Sequence, residues 1–122
     1  MSKQNLLPTN AQIEEFKMLT ELLKSIYDEM KEFSKKKPDE PLNAFKVKNV
    51  NRVLTKVKDI LKNEPTSDFL DILDNDTLPT NSDAILIIGQ FKASMDRFEN
   101  KYHRYNELEG EHFWNTKENS SE

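Results

Sequence analysis

Three stretches of the chain repeat apolar residues at alternating spacings of three and four positions. They lie within residues 16–33, 47–61 and 84–105. This spacing keeps the apolar side chains on one side of a slightly under-wound helix. Three long amphipathic helices within 122 residues need one another to bury these stripes, so the sequence predicts an all-α helical bundle.

Capping signals predict where the first two long helices begin and end. Thr9 and Gln12 have the spacing of a capping box, and the first helix is expected to run from Thr9 to about residue 36. Pro41 suits the first turn of the second helix, because its missing N–H is not needed there. This helix is expected to end near residue 63, just before the next proline.

The remaining helices complete an up-down-up arrangement. Apolar residues within 68–74 predict one short helix, and the last long helix is expected to run from Thr80 to about residue 106. Leu-Pro-Thr-Asn precedes both the first and the last long helix, at residues 7–10 and 78–81, so in an up-down-up order both tetrapeptides would lie at the same end. The expected fold is three long heptad-patterned helices plus one short connecting helix, four helices in all.

Length and composition favour a single domain. Apolar residues make up 35% of the chain and charged residues 33%, a balance that a bundle tolerates because each helix buries only one stripe. We expect a flexible N-terminus over residues 1–8, a helical bundle domain over 9–106 and an acidic C-terminal tail over 107–122.

The chain contains no cysteine, which excludes disulfides, thiolate metal sites and cysteine nucleophiles and fits a reducing compartment. Residues 1–8 do not resemble a signal peptide, and the longest apolar run, Ala84–Ile88, is too short to span a bilayer. We therefore expect a cytoplasmic protein without membrane contact. The sequence indicates no metal site, no cofactor and no small-molecule substrate.

The start of the last long helix is the best candidate for a protein interface. It is apolar all round, and Leu86, Gly89 and Ala93 fall together on the face opposite the core stripe, next to Ile85. The small residues Gly89 and Ala93 allow another backbone to approach closely. Either the short helix or a second copy of the protein would cover this face. The favoured function is a small, non-enzymatic protein-interaction module that self-associates or binds another protein.

Two adjacent aromatic residues, Phe113 and Trp114, lie in the otherwise polar C-terminal segment. They either fold back on the bundle or dock a partner. Fold-back is favoured, because burial of a tryptophan side chain releases much apolar surface from water.

Charge is segregated along the chain. Residues 42–63 contain six basic residues and one acidic residue, whereas residues 64–83 contain six acidic residues and no basic one. Lys48, Arg52 and Lys56 are four apart and form a basic ridge that could follow phosphates. No aromatic residue alternates with them to stack bases, and the net charge of the chain is −4, so a solvated face is the simpler interpretation.

Arg97 and His103 suggest an enzymatic alternative. Their separation by five residues resembles the Arg-x(4–6)-His signature of the HEPN-type helical ribonucleases, which are small bundles and often dimers. The resemblance implies that His103 would act as an acid or base and that Arg97 would hold a phosphate. Phe98 stands where that family has a polar residue. The alternative function is therefore a HEPN-like ribonuclease or another helical protein that binds phosphate or nucleic acid.

Overall fold

The computed structural model describes residues 7–119, in which three α-helices and one β-hairpin share a core. The elements in chain order are α1 (Asn10–Lys36), α2 (Ala44–Ile60), a 3-10 helix (Pro65–Phe69), α3 (Asn81–Tyr102), β1 (His103–Asn106) and β2 (Glu111–Trp114). The two strands pair antiparallel. Residues 1–6 of the predicted N-terminal segment and residues 120–122 of the predicted tail lie outside the described residues.

The predicted capping box at the start of α1 is confirmed. The Thr9 hydroxyl accepts a hydrogen bond from the Gln12 N–H at 3.1 Å, and the Gln12 side chain accepts one from the Thr9 N–H at 2.9 Å. Thr80 caps α3 in a similar way and accepts from the Asp83 N–H at 3.2 Å. These bonds satisfy backbone donors that the first turn of a helix leaves without partners.

The second helix is shorter than predicted at both ends. Pro41 does not lie in its first turn but forms an isolated β-bridge with Thr80. The helix begins only after Asn43, whose side chain accepts from the Lys46 N–H at 2.8 Å. The residues just before Asn43 therefore contact the start of α3 instead of joining α2.

The predicted direction of the last helix is wrong. Phe16 near the start of α1 stacks on Phe98 near the end of α3, with ring centroids 4.8 Å apart. At the opposite end, the Asn81 side chain donates to the Lys37 carbonyl at 2.8 Å. Helix α3 is consequently antiparallel to α1 and parallel to α2, so the order is not up-down-up, and the Leu-Pro-Thr-Asn tetrapeptides lie at opposite ends.

The direction of α3 results from the segment 70–79, which contains no helix. The predicted helix 68–74 is replaced by the 3-10 helix Pro65–Phe69, and the chain then continues without regular structure. An extended chain advances about 3.3 Å per residue, so these ten residues can return along the whole of α2, which is about 25 Å long. Leu70 and Leu73 are buried in this returning segment, whereas Phe69, which precedes it, is 74% exposed.

Helix α3 ends four residues earlier than predicted, and a hairpin follows. Residues 103–106 pair with residues 111–114, and Gly110 adopts a positive φ of 67° that closes the turn. The Asn106 side chain accepts hydrogen bonds from two backbone N–H groups of this turn. Hydrogen bonds between strands thus replace the last helical turn.

The chain after the hairpin packs on the start of α1. The fully buried Thr116 donates to the Asn10 side chain at 2.7 Å, and the Lys117 N–H donates to the Pro8 carbonyl at 2.9 Å. These bonds join the two ends of the described chain.

Most of the residues at the middle of the three apolar stripes are buried between the three helices. Burial is nearly complete for Leu23, Leu54, Val57, Met95 and Phe98, whereas Ile26 is only partly buried at the edge of the core.

Candidate interaction groove

A groove of about 720 Å³ lies between α1, α2 and the returning segment 70–79. Helix α1 contributes Met18 and Leu22, and the returning segment contributes Ile72. Three large apolar side chains from two distant parts of the chain therefore line one concave surface.

These three side chains remain substantially exposed to solvent. The exposed fraction is 52% for Met18, 45% for Leu22 and 41% for Ile72. Met18 and Leu22 are four residues apart and so share one face of α1. Because burial of aliphatic surface is favourable, such a surface stabilises the contact with a partner that covers it.

The basic ridge of Lys48, Arg52 and Lys56 lines the same groove. All three side chains are exposed, and the ion pairs found within residues 7–119 involve none of them. The four-residue spacing predicts a ridge about 12 Å long on one side of α2. The structure thus places the predicted ridge beside exposed aliphatic side chains.

Sequence reasoning missed the apolar part of this groove. Met18 and Leu22 form a second row beside the buried Leu19 and Leu23, and this widening of the stripe was a readable signal. Ile72 gave no such signal, because its position depends on the path of the returning segment.

The predicted interface on α3 is partly used within the chain. Ile85 and the neighbouring Ile87 pack against the core. Tyr27 of α1 covers Gly89, where an added Cβ would lie 3.8 Å from its ring. Leu86, with 64% of its surface exposed, and Ala93 remain accessible on the outer side.

The two aromatic residues of the C-terminal segment have different surroundings. The Trp114 ring packs on Phe16, with centroids 5.6 Å apart, and on His103 at 4.8 Å. Phe113 is 41% exposed and lines a small depression together with Ile13 of α1. Trp114 therefore folds back on the bundle, and Phe113 stays at its surface.

Arg97 and His103 do not share their surroundings. Arg97 lines a shallow depression together with Ala93 and Asp96. The His103 ring instead stacks on His112 across the hairpin, with centroids 5.1 Å apart. The geometry gives no support to a joint catalytic role for Arg97 and His103.

A polar cluster joins the ends of α2 and α3. The Glu64 carboxylate, whose side chain is only 10% exposed, accepts from the Tyr102 hydroxyl at 2.9 Å and from Lys101 Nζ at 3.1 Å. Burial raises the pKa of the Tyr102 phenol, and the hydrogen bond to Glu64 raises it further. The cluster keeps the phenol protonated and fixes α3 at its last turn.

Comparison with models of known protein families, with curated proteins and with solved structures found no match for this chain. Within residues 7–119, no group of three or more histidine, aspartate or glutamate side chains could hold a metal ion. None of the helices in this range is both long and apolar enough to cross a membrane.

Proposed function

We propose that the protein is a small, non-enzymatic and cytoplasmic protein-interaction module that binds another protein through the groove. The observation that carries this proposal is the exposure of Met18, Leu22 and Ile72 on one concave surface. Aliphatic side chains grouped in this way favour contact with another protein over contact with water. Methionine supports such a role, because its flexible thioether adapts to differently shaped partners.

The chemistry of the groove favours binding over catalysis. The titratable side chains that line it are Lys48, Arg52 and Lys56, and within residues 7–119 no carboxylate or imidazole is among the lining groups. General acid–base catalysis commonly uses a histidine or carboxyl group placed next to the reacting atoms. The groove instead offers apolar contact area and positive charge.

Photo-crosslinking tests the interaction function. We would place a photoreactive residue at position 22, inside the groove, and at position 31, which does not line it. The expected result in cell lysate is a discrete protein adduct at position 22 but not at position 31. The purified partner should then bind the wild type and lose affinity for Leu22→Ser. Equal adducts at both positions, or unchanged affinity of Leu22→Ser, would contradict the proposal.

We also propose self-association through the outer side of α3. Leu86 and Ala93 support it, since an exposed apolar side chain and a small one lie about two turns apart on the same face of α3. Sedimentation velocity should detect a concentration-dependent oligomer of the wild type. Leu86→Lys should restore the monomer with an unchanged helical circular dichroism spectrum. A monomeric wild type at high micromolar concentration would refute self-association.

A further inference from the structure

We propose that the groove binds an acidic amphipathic helix of another protein. This inference rests on the proposed interaction function and specifies the chemistry of the partner. The apolar row of the incoming helix would contact Met18, Leu22 and Ile72, and its carboxylates would pair with the basic ridge Lys48, Arg52 and Lys56.

Charge complementarity determines the sign of the partner. The ridge places three positive charges on one side of the groove, and the ion pairs within residues 7–119 do not neutralise them. At the ridge itself, carboxylates of a partner would be attracted and basic side chains repelled over roughly 8–10 Å at ordinary ionic strength, and the exposed Asp71 and Asp74 of the returning segment are not among the lining residues. The affinity should therefore fall as salt is added.

The spacing of the ridge indicates a helix. Lys48, Arg52 and Lys56 follow one another at four-residue intervals, so a helix aligned with α2 and carrying carboxylates at the same interval can match all three. Residues three or four apart also form the apolar row of an amphipathic helix. Such a helix lying along the groove presents carboxylates and aliphatic side chains on adjacent sides.

The apolar lining favours a protein over a single-stranded nucleic acid. Its exposed members are aliphatic, namely Met18, Leu22 and Ile72. Nucleic-acid channels combine positive charge with aromatic side chains on which bases stack. Aliphatic side chains match leucine-like residues of a helix better than they match bases.

A pair of designed peptides tests the proposal on the intact 122-residue protein. The probe is a fluorescent helical peptide of about 18 residues built from leucine and glutamate in an amphipathic pattern. The control keeps every leucine and replaces each glutamate with lysine. In fluorescence anisotropy we expect the glutamate peptide to bind with salt-dependent affinity and the lysine peptide not to bind.

Matched variants place this binding in the groove. Arg52→Glu and Leu22→Ser should each weaken binding of the glutamate peptide by about tenfold or more. Lys31→Glu makes the same charge change as Arg52→Glu away from the groove and should leave binding unchanged. Circular dichroism checks the fold of each variant, and Arg52→Gln replaces Arg52→Glu if the latter unfolds.

Several outcomes would overturn the proposal. The first is equal binding of both peptides, and the second is an equal loss of binding in Lys31→Glu and Arg52→Glu. The third is tight binding of single-stranded RNA that Arg52→Glu abolishes. The fourth is an oligomer of the protein that Arg52→Glu dissociates. If neither peptide binds but the partner crosslinked at position 22 binds the wild type, the proposal of an acidic helix is wrong and the proposed interaction function stands. If position 22 yields no specific adduct and neither peptide binds, both proposals fail.

Discussion

The Asn51 side chain binds both backbone polar groups of Leu73. Its Nδ2 donates to the Leu73 carbonyl at 2.8 Å, and its Oδ1 accepts from the Leu73 N–H at 2.8 Å. The carboxamide thus pairs with the backbone of the returning segment as a neighbouring strand would. Asn51 and Leu73 are buried, so water cannot bind the backbone N–H and carbonyl of Leu73. The Asn51 side chain supplies the hydrogen-bond partners that these groups would otherwise lack.

Replacement of Asn51 should therefore destabilise the fold. Asn51→Ala leaves a buried N–H and a buried carbonyl without partners, which should cost about 3 kcal/mol of unfolding free energy in urea. Asn49→Ala is the matched control, because Asn49 lies on the same helix but is exposed. Both variants gain the same helix propensity, and Asn49→Ala loses only an exposed hydrogen bond to the Phe45 carbonyl, so the difference between them reports the loss of the buried Asn51 side chain and its contact with Leu73. Equal stabilities would show that the contact contributes nothing.

Truncation of the buried Leu54 should leave a cavity among fixed neighbours. Leu54→Ala is expected to lower the unfolding free energy by about 2–5 kcal/mol. Leu108 supplies the control, since 98% of its surface is exposed and Leu108→Ala should change stability by less than about 0.5 kcal/mol. Chemical denaturation measures both. A loss below half a kcal/mol for Leu54→Ala would mean that the assignment of the second stripe is wrong.

The two glycines of the chain should respond to alanine in opposite ways. Gly89 lies within α3, and an added Cβ would stand 3.8 Å from Tyr27, an ordinary contact. Gly89→Ala should therefore stabilise the protein by about 0.5–1 kcal/mol. Gly110 has a φ of 67°, so Gly110→Ala should destabilise it by about 1 kcal/mol. Thermal unfolding compares them, and the same sign for both would contradict this account.

Stability should fall in alkaline solution because of the polar cluster at Tyr102. Burial raises the pKa of Tyr102 above its ordinary value, so the folded protein keeps a proton that the unfolded chain releases. Burial lowers the pKa of Lys101, but the hydrogen bond to Glu64 and the interaction with Tyr102 outweigh this effect and raise it overall. Both groups therefore contribute stability that is present below a pH of about 10 and is lost above it.

Tyr102→Phe tests this pH dependence. The variant loses the hydrogen bond to Glu64, so it should be somewhat less stable than the wild type near neutral pH. Its urea midpoint should then fall less steeply than that of the wild type between about pH 9 and about pH 11. Parallel midpoint curves for the two proteins would show that the phenol does not contribute.

Local chemistry predicted the helices, but not their arrangement. The apolar stripes and the caps at Thr9 and Thr80 identified α1 and α3, because helix period and capping depend on residues a few positions apart. The three-residue spacing of Leu70 and Leu73 is that of a helix face, because successive side chains of an extended chain alternate between its two sides. The local pattern therefore favoured a short helix there and could not reveal the returning segment that reverses α3.

Most parts of the candidate groove could also be predicted from the sequence, but their arrangement could not. Its basic ridge was visible in the sequence as three charges on one helix face, and Met18 and Leu22 widened a visible stripe. The groove exists only because segment 70–79 brings Ile72 beside them. Contacts between distant segments depend on the path of the chain, which local patterns leave undetermined.

The hydrogen bond between Asn10 and Thr116 has a consequence for how the chain acquires its structure. These residues are 106 positions apart, so the first turn of α1 gains this contact only after α2, α3 and the hairpin have been synthesised. During synthesis on a ribosome, the apolar stripe of α1 would emerge long before α3, which covers it. The stripe of α1 therefore lacks its full cover until the last of the three helices has been made, and the contact at Thr116 is added only after that.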